Sequence, residues 1–101
     1  MSTLTLEHDP LAIDLALTDE VFTVVFADGR SLSIPLAWYP RLKQATQAER
    51  AHWRLLGDGY AIEWPDLDEH VGVASLLAGH RSGESAASWN RWMASRVTST
   101  R

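Results

Sequence analysis

No cysteine occurs anywhere in the chain, which excludes a disulfide framework and any thiolate metal site. No apolar run approaches the roughly 20 residues that cross a bilayer. The start of the chain is not the basic-then-apolar pattern of a secretory signal. A cytoplasmic protein with no membrane partner is the expectation. Positive charge is scarce: nine Lys and Arg face thirteen Asp and Glu, for a net charge of −4. Residues 1–80 hold twelve acidic and five basic side chains, −7, whereas residues 81–101 hold one and four, +3. An acidic body does not supply the clustered Lys and Arg of a nucleic-acid footprint, so nucleic acid is not the expected partner. No GxSxG nucleophile elbow is present, and neither "DGR" nor "GDG" has the spacing of a phosphate loop.

What is present suits one small folded domain. The chain has 101 residues, of which 46% are hydrophobic, and its five tryptophans are many for that length. Large aromatic side chains help a small core, provided each buried indole N–H finds an acceptor. "LAIDLAL" places Leu11, Ile13, Leu15 and Leu17 at period two and predicts a half-buried strand. "VFTVVFADGRSLSIPL" predicts a hairpin turning at Asp28-Gly29, with Phe22, Val24 and Phe26 on one face and Leu32 and Ile34 across from them. Pro35 cannot donate to a ladder and should end that strand or lie at an edge. Leu11 to Pro35 thus reads as a three-stranded meander.

Pro40 suits the first turn of a short helix running through Ala45. Thr46 and Glu49 have capping-box spacing and predict a second short helix from Gln47 to about His52. "WRLL" and "YAIEW" around "GDG" read as a second hairpin, although "WRLL" equally fits a helix end, and Pro65 stops its last strand. The following stretch reads as an acidic loop, with Trp64 and Leu67 pointing inward. A short helix, Val73 to Ala78, then closes at Gly79. From Ala86, Trp89, Met93 and Val97 recur at i, i+4, as in an amphipathic helix. The expected fold class is α+β: a small antiparallel sheet (the meander plus the second hairpin) packed with short helices, then a C-terminal amphipathic helix. The expected divisions are a flexible leader over residues 1–10, one α+β domain over 11–79, and a linker with the C-terminal helix over 80–101.

Three constellations bear on function. Glu63, Asp66, Asp68, Glu69 and His70 crowd one stretch. "DLDEHVG" begins but does not complete a calcium-loop pattern. Asp68 and Glu69 are better explained as negative charge before the N-terminus of the next helix. The histidines, His8, His52, His70 and His80, show no zinc-ligand spacing, and no metal or other cofactor is expected. In "PLAWYPRL", Trp38 is expected to close the core while Tyr39 and Arg41 lie on the rim, where with Trp38 they are candidates for gripping a partner. In the tail, Trp89, Trp92, Met93 and Arg96 are the other candidate partner-binding residues, and Trp92 to Arg96 has a cation–π spacing. Docking of the tail on its own body and binding to another protein or a second copy are equally weighted.

The blocks "DGRSLSIPLAWYPRLKQAT" and "ERAHWRLLGDGYAIEWPDLDEHVGVASLLAG" resemble the DUF2442 family of small bacterial proteins, over about Leu11 to Gly79. The resemblance implies a compact α+β domain. It also implies a gene neighbouring another small gene, in pairs proposed to be toxin–antitoxin-like. Some relatives carry a helix-turn-helix module, for which the 22 residues after Gly79 are too few. No catalytic residue is implied. The first expectation is therefore a non-enzymatic protein–protein interaction module, antitoxin-like, paired with the product of an adjacent gene. One alternative is a nucleic-acid-binding or regulatory accessory domain using Trp38, Tyr39, Arg41 and the tail arginines. Another is a metal-dependent enzyme centred on Asp66, Asp68 and His70.

Overall fold

The computed structural model describes residues 10–99, with side chains described through residue 96. The leader over residues 1–9, including His8, and the packing of Val97 lie outside the described residues. The first three strands, β1 (Ala12–Leu17), β2 (Val21–Phe26) and β3 (Ser31–Pro35), form an antiparallel meander in the order β1-β2-β3. Gly29 takes φ 94° at the hairpin turn, and the Phe26 N–H donates to the Arg30 carbonyl at 2.8 Å. Phe22, Val24, Phe26 and Ile34 are buried as the alternation predicts, and Pro35 ends the edge strand β3.

The alternation fails at the start of β1. Ala12 pairs with Phe26 and Asp14 with Val25, so Ile13 is the extra residue of a β-bulge. Ala12 takes the inward place and Ile13 is 58% exposed. Past the bulge, Leu15 and Leu17 return to the inward face. Asp14 accepts the Leu15 N–H at 2.8 Å, which occupies a donor on this edge strand.

After a 3₁₀ turn, Leu36–Trp38, come α1 (Pro40–Gln44) and α2 (Gln47–Ala51). The turn reverses the expected roles of Trp38 and Tyr39. Its three-residue period sets Leu36 and Tyr39 on one side, the Tyr39 N–H donating to the Leu36 carbonyl at 2.9 Å. Tyr39 is therefore buried, and Trp38 is left half-buried. The capping box forms in full: the Glu49 N–H donates to Thr46 Oγ1 at 3.1 Å and the Thr46 N–H to Glu49 Oε1 at 2.9 Å.

The second sheet has three strands where a hairpin was expected: β4 (Arg54–Leu56), β5 (Ala61–Trp64) and β6 (Glu69–Gly72), in the order β4-β5-β6. A 3₁₀ turn over Pro65–Leu67 and a left-handed Asp68 (φ 51°, ψ 46°) reverse the chain within four residues. Trp64 then pairs with Glu69, and the register runs to Ala61 with Gly72. Asp68 and Glu69 thus do not precede a helix. Helix α3 (Val73–Leu77) starts instead from Gly72, without a side-chain cap. Gly79 closes it with φ 79°, as expected.

One core runs through both sheets. The Ala12 N–H donates to the Gly59 carbonyl at 2.8 Å, and Phe22 meets Trp64 edge-on with ring centroids 5.6 Å apart. Trp64 and Leu67 are fully buried, and the Trp64 indole N–H donates to the Arg50 carbonyl at 3.0 Å. The last helix, α4 (Ala86–Ser99), adds Trp92 to this core. Among the described residues no helix is long and apolar enough to cross a membrane.

Candidate functional site

Arg41, on α1, is the centre of the most connected polar cluster. Its Nε and NH2 donate to the two carboxylate oxygens of Glu84 at 2.7 and 3.0 Å. NH1 donates to the Leu67 and Asp68 carbonyls at 3.1 and 2.8 Å. A guanidinium offers its donors in a fixed fork, and here one edge reads a carboxylate while the other reads a turn. The Ser88 hydroxyl also donates to Glu84. These bonds hold the Glu84 carboxyl below the usual carboxylate range. Two further anchors fasten α4. The Trp92 indole N–H donates to the Leu67 carbonyl at 3.0 Å, and Arg96 makes a bidentate pair with Glu49 at 3.0 and 3.0 Å. Arg96 keeps the Glu49 carboxyl low as well.

Glu69 behaves differently. It sits on β6 in a crevice beneath residues 80–85, where two adjoining clefts of about 350 Å³ each open. Burial raises its carboxyl to about 7; Arg41 opposes that rise, while Glu84 and Asp68 add to it. Among the described residues no hydrogen-bond donor meets this carboxylate, whose oxygens keep some contact with solvent. Tyr39 closes one side, its hydroxyl donating to the His80 carbonyl at 2.9 Å. Burial and the charge of Glu69 raise the Tyr39 phenol above its ordinary value.

A third feature is apolar. Pro10, Leu11, Tyr60, Val73 and Ala74 line a groove of about 550 Å³, with Asp58 on its rim. Tyr60 is 58% exposed, and its ring lies across Gly57, where an added Cβ would come within 2.7 Å of it. Leu77, three residues along α3 from Ala74 on the same helical side, is 38% exposed.

Four of the seven candidate residues of the sequence reading, Arg41, Trp89, Trp92 and Arg96, meet at the Trp92 ring. Arg41 and Arg96 both lie over the Trp92 ring, at 5.3 and 4.6 Å from its centroid. Trp89 stacks near Trp92 with centroids 5.2 Å apart, and Met93 packs half-buried against the core. Trp38 carries the Arg81 guanidinium at 4.5 Å and accepts the Ser82 N–H at 3.1 Å. Tyr39 is part of the core. The tail therefore docks on its own body. Asp66 meets His52 at 2.8 Å, not His70. Among the described residues no group of three or more His, Asp or Glu side chains is placed to hold a metal. Tyr60 and Leu77 were missed by sequence reasoning, and Glu69 was read only as negative charge before a helix. Tyr60 could have been flagged as the aromatic directly after a glycine turn, whereas nothing local marks Glu69 as half-buried.

The same architecture occurs in solved structures. A crystal structure of a protein of unknown function from Rhodospirillum rubrum matches with a TM-score of 0.67 at 22% identity, over 76% of this chain and 95% of that one. A solution structure of an uncharacterised protein from Chromobacterium violaceum matches with a TM-score of 0.64 at 23% identity, over 94% of this chain and 83% of that one. The second likeness spans too much of this chain to end before α4. At these identities the likeness shows the fold alone. No curated protein matches the chain. The family model described as "Protein of unknown function (DUF2442)" matches residues 12–82, from the first strand through the turn after α3, and the chain belongs to that family.

Proposed function

We propose that the chain is a non-enzymatic protein–protein interaction module that presents the Tyr60 groove to a second small protein, as an antitoxin-like partner. The observation that supports this reading is a division of labour among the aromatics. Trp92 and Tyr39 are consumed inside the fold, whereas Tyr60 stands in solvent on an apolar groove. The occupant is an apolar segment with basic flanks. Asp58 lies on the rim, and residues 1–80 carry −7, so attraction of a basic surface steers the encounter while the Tyr60 contact supplies affinity. A nucleic-acid contact has less support, because Arg41 and Arg96 are held in ion pairs with Glu84 and Glu49.

Co-expression with the product of the adjacent gene tests the reading. The expected result is co-purification that weakens with salt and falls at least tenfold in Tyr60→Ala, whose circular dichroism matches wild type. No complex, no rescue of growth, or an unchanged complex with Tyr60→Ala would each overturn it.

A further inference from the structure

The crevice at Glu69 lies along a sheet edge that is covered but not paired. β6 is the outer strand of its sheet, and among the described residues no backbone hydrogen bond joins it to residues 80–85. That strap is held from the other side instead. Tyr39 Oη reaches the His80 carbonyl at 2.9 Å, the Ser82 N–H reaches the Trp38 carbonyl at 3.1 Å, and Glu84 is gripped by Arg41. The charged and titratable groups around Glu69 come from three sides: Asp68 and His70 beside it in the chain, Tyr39 and Arg41 from the α1 side, and His80, Arg81 and Glu84 from the strap. Glu84, the strap's own anchor, bears the same charge that Glu69 acquires on ionisation, and both compete for one guanidinium.

We propose that Glu69 is the trigger of a pH-dependent clasp: protonated, it lets residues 80–85 close on β6, and ionised, it repels Glu84, draws Arg41 away from it and loosens the strap. The proton passes to solvent through the crevice. The closed form holds it up to about pH 7, against 4.5 for an ordinary glutamate, so complete ionisation shifts the closed-to-open ratio by roughly two orders of magnitude. The opening is local, because the Trp92–Leu67 and Arg96–Glu49 anchors do not involve Glu69. It bares the free edge of β6.

The test is a carboxyl-carbon NMR titration of the full chain, combined with amide exchange of residues 69–72 and 80–85 between about pH 5 and pH 8. The expected result is a Glu69 midpoint near 7 and a loss of protection in the strap of roughly a hundredfold beyond the intrinsic pH effect. That loss should be absent in Glu69→Gln and kept in His70→Asn and His80→Asn. Linkage supplies a second variant: if ionisation opens the strap, loosening the strap with Tyr39→Phe, which removes the bond to the His80 carbonyl and no charge, must lower the Glu69 midpoint. A midpoint in the ordinary carboxylate range, protection that does not change with pH, or a transition that survives Glu69→Gln or vanishes in a histidine variant would overturn the proposal. Should Glu69→Gln not fold, the wild-type titration and Tyr39→Phe still decide.

Discussion

Replacing Trp92 tests whether α4 belongs to the fold. The side chain is 9% exposed, lies under two guanidinium groups and donates one hydrogen bond to the Leu67 carbonyl. Truncating a buried tryptophan to alanine costs about 3–5 kcal/mol. In a domain of about 100 residues, 1 kcal/mol moves the melting temperature by about 4 °C or more. Trp92→Ala should therefore melt about 12 °C or more below wild type. Trp92→Phe separates packing from hydrogen bonding. It keeps a ring in place, and the Leu67 carbonyl retains the Arg41 donor at 3.1 Å, so no buried acceptor is orphaned. The expected loss is about 1 kcal/mol, or about 4 °C. Differential scanning calorimetry of the three proteins, with trypsin cleavage at Arg91 as a second readout, measures both. A Trp92→Ala protein melting within about 3 °C of wild type, and no more readily cut, would refute the docking of α4.

Gly59→Ala should cost about 3 kcal/mol or more in urea denaturation, because φ is +111° there and a Cβ would lie 2.2 Å from the Ala12 carbonyl oxygen. Gly72→Ala is its control: φ is −77° and nothing lies within 4 Å, so the change should stay within about 1 kcal/mol. Glu49→Ala should cost about 1–2 kcal/mol, more than Thr46→Ala at about 1, because Glu49 serves both the capping box and Arg96. Stability should peak near pH 5. The lowered carboxyls of Glu49 and Glu84 stabilise the fold above 4.5 and lose that effect as pH falls through their folded values. The raised carboxyl of Glu69 acts oppositely, its contribution being lost as pH rises from 4.5 to about 7, on the order of 2–3 kcal/mol after allowance for solvent. Glu69→Gln should flatten that alkaline decline in urea midpoints, and a decline left intact would contradict the assignment.

The features legible in the sequence were those with local causes. The Asp28-Gly29 hairpin, Pro40, the Thr46–Glu49 box and Gly79 each act within a few residues, and each formed as expected. The turns around Leu36–Trp38 and Pro65–Asp68 were not legible, because a single 3₁₀ turn leaves no periodicity to count. The first inverted Trp38 and Tyr39. The second turned an expected loop into β6, whose "EHVG" is too short and polar to read as a strand. The bulge at Ile13 is likewise set by pairing with β2 and leaves no trace in the pattern of β1. The Arg41 cluster depends on partners 26 to 47 residues away, which no spacing rule reaches.

The anchors of α4 also impose an order of assembly. Arg41 and Glu84 are 43 positions apart, and Glu49 and Arg96 are 47 apart. During synthesis the chain emerges from its N-terminus, so both sheets reach solvent before the last helix does. Until then Leu67 offers its carbonyl to Arg41 alone, and the seat of Trp92 is uncovered. The nascent protein thus passes through an interval in which an apolar notch, and the edge of the Arg41 guanidinium that will hold Glu84, face solvent or a chaperone. How long that interval lasts is set by how soon α4 follows the sheets and docks.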